Sequence, residues 1–144
     1  MGAALNFKLA RPQVTVAGFA ADADPRVTPP AANLTFSPQD RVSDQSANHD
    51  TKGLAVFVQF VDANGAIVVG PTASFVVWLY DEGSKSWVQG PDVELSVPCN
   101  TLKTMALIGR CFIQLTALGS VGAATKVNVY ATEIAFTPLG GALV

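Results

Sequence analysis

The sequence predicts an all-β protein built from antiparallel strands. Residues 92–98 (DVELSVP) alternate strictly between polar and apolar, and residues 126–133 (KVNVYATE) repeat that period of two. Such alternation puts Val93, Leu95 and Val97 on one face of a strand and Glu94 and Ser96 on the other. By the same count Val127 and Val129 belong to the core, while Lys126 and Asn128 face solvent or a partner. Turn signals then recur at roughly the eight- to twelve-residue spacing of a sandwich or barrel.

The strands follow in order. Residues 5–9 alternate as a first strand and residues 13–19 as a second, with Val14 and Val16 sharing a face. Residues 33–36 form a short one. Residues 55–61 are rich in β-branched and aromatic side chains. Asp62-Ala63-Asn64-Gly65 turns the chain into a strand at 67–69, and Gly70-Pro71 breaks it. Residues 73–80 are the most apolar strand. Asp81-Glu82-Gly83-Ser84 turns into a strand at 86–89, and Gly90-Pro91 leads to 92–97. Residues 102–108 and 110–118 meet around Gly109, and a Gly/Ala loop leads into the last strand, 125–134. The sole helical candidate is one turn near residues 101–105.

The length of 144 residues fits one domain, residues 1–144, without repeat or linker. Within it, residues 20–53 carry four prolines and five aspartates and little strand character. A long irregular excursion is expected to be either an arm that orders against a neighbour or a surface loop. The apolar, glycine-containing tail 138–144 is a second candidate docking segment.

Composition narrows the function. Charged residues are 14% of the chain and hydrophobic ones 49%, against about 25% charged in an ordinary soluble domain. That deficit points to surface covered by partners. Net charge is −2 and the nine Lys and Arg are scattered, which argues against nucleic acid. Asn6 and Lys8 break the only apolar stretch at the N-terminus, and Gly65, Gly70 and Pro71 interrupt the uncharged run 63–80. Neither a signal peptide nor a membrane span is therefore expected. Cys99 and Cys111 are expected to be free thiols, as in a protein assembled in a reducing cytoplasm.

No enzyme is expected. His49 stands beside Asp50 with Ser43 and Ser46 near, but these groups crowd one polar loop instead of converging from rigid elements. One His and two Cys do not furnish a standard zinc site. Asp62-Ala63-Asn64-Gly65 starts like a calcium loop, but apolar residues follow it. Asp22 and Asp24 are a weak cation candidate. Catalytic, cofactor and metal residues are all expected to be absent. The aromatic residues carry more. Trp78 and Tyr80 share a strand face, and Trp87 lies across the 81–84 turn. Three readings stay open: a second core layer, a protein interface, or a platform for sugars.

The block FVVWLYDEGS (75–84) with Ser86-Trp87-Val88 resembles hairpins in small structural proteins of tailed bacteriophages. So does GRCFIQLTA (109–117) with KVNVYATE (126–133). The resemblance covers about half the chain and is one of texture. It implies a β-sandwich, jelly-roll-like, serving as a capsid decoration (cement) protein, minor capsid protein or tail component. It also implies a place in the virion after assembly in the host cytoplasm. The partners would be the major capsid protein and copies of this chain, as a homo-oligomer of trimeric kind. Interface residues expected on this reading are Leu34, Phe36, Trp78, Tyr80, Trp87 and Tyr130. The rival expectation is a lectin-like module using Trp78, Tyr80 and Trp87.

Overall fold

Two five-stranded antiparallel sheets enclose one apolar core. The computed structural model describes residues 7–36, 51–90, 95–106, 109–136 and 142–143. The strands are β1 (Lys8–Thr15), β2 (Thr35–Phe36), β3 (Thr51–Val61), β4 (Thr72–Asp81), β5 (Ser86–Gln89), β6 (Leu95–Pro98), β7 (Lys103–Ala106), β8 (Cys111–Gly119), β9 (Lys126–Phe136) and β10 (Ala142–Leu143). The first sheet runs β1-β9-β3-β7, with β10 beside β1 on the same edge of β9. The second runs β2-β8-β4-β5, with β6 pairing the other half of the β4 edge.

Alternation explains the core. Leu54, Val56, Val58 and Phe60 of β3 face Val127, Val129 and Ala131 of β9 across the first sheet. Ala73, Phe75 and Val77 of β4 do the same with Ile113 and Leu115 of β8 in the second. These inner faces meet as the core, together with Val97, Cys99, Met105 and Cys111. The sequence assignment of Val97, Val127 and Val129 to the core therefore holds. Val93 and Glu94 lie outside the described residues, as do His49, Ser43, Ser46 and Asp50.

Asn128 departs from its expected exposure. It is only 8% exposed, and its Oδ1 accepts the Gln13 backbone N–H at 2.9 Å. The reason lies in β1, whose pairing with β9 slips between Leu9 and Arg11 and again between Arg11 and Val14. Within that irregular stretch Gln13 adopts φ +37°, a conformation uncommon for a residue with a side chain. The slip removes the Gln13 N–H from the regular ladder, and Asn128 supplies the missing acceptor.

Other boundaries shift for local reasons. Among the described residues, those of the strands expected at 5–9 and 13–19 contribute to a single irregular strand, β1. The strand expected at 67–69 reduces to one bridge, Val61 to Ile67. The expected turn itself forms: Asp62 Oδ1 accepts the N–H groups of both Asn64 and Ala66, and Gly65 takes φ +84°. Beyond it the Val68 N–H reaches the Phe60 carbonyl at 2.9 Å without the pairing extending into a strand. The expected helical turn near 101–105 is instead largely the start of β7, because residues 103–106 complete the β3 edge. Residues 33–36 begin as a 3-10 turn (Ala32–Leu34) before the short β2. Asp81 closes the β4–β5 hairpin, its Oδ2 accepting from the Ser84 N–H and hydroxyl.

Candidate functional site

The second sheet is buried on both faces in its middle. Val76, Trp78, Trp87 and Phe112 form a separate apolar cluster on its outer side, with Leu34 and Tyr80 packed against it. Alternation dictates this, since Phe75 and Val77 are committed to the inner core. An outer face of this kind would ordinarily be wet. Here Trp78 is 3% and Trp87 7% exposed, because Arg26 and Leu34 of the segment 19–36, together with Arg110 and Tyr80, cover this side of the sheet.

That segment is a strap. Pro25 is fully buried, and Arg26 sets its guanidinium 4.9 Å from the centre of the Trp78 ring. Asp24 holds Arg26 in place through Oδ1 and Oδ2, at 2.6 Å for the shortest contact. The Arg26 side chain, then its backbone N–H, keeps the Asp24 carboxyl below its ordinary value. Leu34 packs on the outer cluster and Phe36 on the main core. Between Phe19 and Leu34, among the described residues, the hydrogen bonds that tie the strap to the sheets all pass through Asp22. Its N–H donates to the Leu115 carbonyl (2.9 Å), and its Oδ2 accepts the Leu115 N–H (2.8 Å). Its carbonyl accepts from Gln114 Nε2 (3.0 Å), and its Oδ1 accepts from Arg11 Nη2 (2.9 Å). Asp22 thus covers the β8 edge at Leu115 with its backbone N–H and its side-chain carboxylate, beyond the two residues that β2 covers.

The polar network reaches beneath the strap. Gln114 accepts the Trp78 indole N–H at 2.8 Å through Oε1, which leaves its amide nitrogen for the Asp22 carbonyl. Arg11, 7% exposed, lies with its guanidinium 5.8 Å from the Phe112 ring centre. Its Nε and Nη1 are buried and have no partner. On the other side of the cluster the exposed Arg110 covers Tyr80 (4.4 Å) and Trp87 (5.3 Å).

The first sheet has its own outer aromatics. Phe57 and Tyr130 are direct cross-strand partners, stacked with centroids 5.0 Å apart, and Phe7 meets Phe57 edge-on at 5.0 Å. Phe57 and Tyr130 are half-buried, and Leu9, paired with Tyr130, is exposed.

The expected interface residues therefore fall into two groups. Trp78, Tyr80, Trp87 and Leu34 converge on the second sheet's outer cluster, Phe36 sits at its β2 edge, and Tyr130 lies on the opposite sheet. Leu34 and Phe36, expected to anchor in a neighbour, pack against their own chain. A sugar platform needs bare ring faces, and here Arg26, Arg110 and the strap cover them. The carboxylates expected as a weak cation pair are each taken by an arginine: Asp22 by Arg11, Asp24 by Arg26. Both cysteines are free and buried. The Phe60 N–H points to the Cys99 sulfur at 3.3 Å, and burial pushes the Cys111 thiol up to about 12.

Arg11, Gln114 and Phe112 escape sequence reasoning, which offers Asp22 only as a weak cation candidate, because the contacts of Asp22 with β8, 92 or 93 residues away, leave no local pattern. No family model matches the chain, and no curated protein or solved structure matches it either.

Proposed function

We propose that the protein is a non-enzymatic structural component of a virion, a decoration or cement protein that binds a capsid shell. The observation that carries this reading is the half-exposed Phe7–Phe57–Tyr130 stack on the outer face of a sheet, in a chain with only 14% charged residues. Aromatic side chains on a rigid, charge-poor face are the composition of interface cores. Leu9 extends the same face. The strand order β1-β9-β3-β7 opposite β2-β8-β4-β5 supports the jelly-roll reading, since successive strands alternate between the sheets through the first four. That architecture suits a rigid block that adheres through its faces.

In this reading the Tyr130 face seats on the major capsid protein or on further copies of the chain, with a trimer as the expected assembly. Apolar burial at roughly 25 cal/mol per Å² supplies the adhesion, less the costs of association. Density-banded particles from the source of the sequence should contain the chain in a mass-spectrometric inventory. Purified protein should sediment with particles stripped of it, and Tyr130→Glu should abolish that sedimentation while leaving the isolated fold intact. A chain absent from banded particles would end the proposal.

A further inference from the structure

We propose that the β8 edge beneath the strap is a binding site for an extended acidic segment of a partner chain, held in reserve by Asp22. The receptor surface is laid out by what Asp22 occupies. It offers the Leu115 N–H and carbonyl, the Gln114 amide, the Arg11 guanidinium and the Trp78–Phe112 surface. These groups together recognise a backbone in strand conformation that carries a carboxylate, which is recognition by strand addition.

Two independent features mark the strap as displaceable. First, residues 19–34 are tied to the sheets by hydrogen bonds at one residue only, among the described residues, and Pro25, Pro29 and Pro30 donate none. Second, Asp22 engages Arg11 through a single nitrogen, leaving Nε and Nη1 buried without partners. Buried donors are ordinarily satisfied, and an arginine fork is matched by two carboxylate oxygens. Asp22 divides its carboxylate, with one oxygen on Arg11 and the other on the Leu115 N–H. A partner segment bearing a second carboxylate next to the first would satisfy both. The internal strap is thus a weaker occupant than the surface can accept, as an autoinhibitory contact must be.

The test uses the full chain and a synthetic peptide of residues 19–36, followed by tryptophan fluorescence and hydrogen exchange. Asp22→Asn protein should bind the peptide about tenfold more tightly than wild type, because its internal competitor is weakened. The peptide carrying the same Asp22→Asn change should bind about tenfold more weakly, and Arg11→Gln protein should not bind at all. A folded Asp22→Asn protein that ignores the peptide at millimolar concentration overturns the proposal. So does equal affinity for the Asp and Asn peptides. Should that variant fail to fold, exchange in wild type decides: the Asp22 and Leu115 amides must open together, ahead of the β3–β9 ladder. Exchange of those amides only with global unfolding refutes a displaceable strap. Neither readout involves particles, so its failure is distinct from failure of the virion reading.

Discussion

Replacing Asp22 by alanine should cost about 4 kcal/mol of stability, and the structure sets that figure. The change leaves Arg11, with 8% of its side chain exposed, without any hydrogen-bonded counter-charge. Breaking one side of a buried ion pair costs about 3–5 kcal/mol. The Asp22 side chain keeps 20% of its exposure, so water reaches the vacancy and the lower end applies. The Leu115 N–H also loses its acceptor, a loss of about 1 kcal/mol where water can replace it. At roughly 3 °C per kcal/mol for a chain of this size, the melting temperature should fall by about 12 °C. The penalty should come from the stranded charge and not from the missing carboxylate itself. Arg11→Met combined with Asp22→Ala should therefore recover most of the loss. Urea denaturation of the two single variants and the double variant measures the coupling directly. A loss under about 1 kcal/mol for Asp22→Ala, or a double variant with strictly additive losses, would refute the assignment of Asp22 as the strap's latch.

Further outcomes follow from single positions. Val129 is fully buried, so Val129→Asp should abolish soluble folded protein, since an unpaired charge in the core costs several kcal/mol; a soluble variant with a normal melt would show the β9 register to be wrong. Asn128→Ala should lose about 1–2 kcal/mol by orphaning the Gln13 N–H, whereas an unchanged midpoint in urea would show that water replaces the side chain at no cost. The Cys111 thiol is raised from 9.0 to about 12 by burial, so the unfolded chain releases its proton first as pH rises. Stability from this group is complete below about pH 9 and declines toward pH 12, by at most about 1.4 kcal/mol per pH unit; Cys111→Ala should melt with a shallower alkaline slope than wild type. Native protein should leave both thiols unlabelled at neutral pH and show two labels once denatured, with a mass two daltons low pointing instead to a disulfide. Trp78 and Trp87 should resist acrylamide quenching and show no shift with any glycan, and a glycan-induced shift would revive the lectin reading.

The fold class was legible because alternation is a local property. Val127 and Val129, two residues apart, announce a strand and its buried face whatever lies opposite, and the Asp81–Ser84 turn carries its own geometry in its side chains. What alternation does not record is which face of a two-sided apolar strand meets the core and what covers the other. Trp78 and Trp87 read as core layer, interface or sugar platform. The tertiary structure covers them with Arg26, from a segment whose prolines and aspartates read as loop, and with Arg110. Asp22 became a latch only because Arg11 and the Leu115 edge converge on it from other strands. Asn128 was misplaced for the same reason, its partner created by a slip in a strand 115 residues away. The chain's own periodicity determines which residues are strand and which face of each is apolar. Burial of a charge or an amide depends on partners distant in sequence, and only the packed sheets bring those into reach.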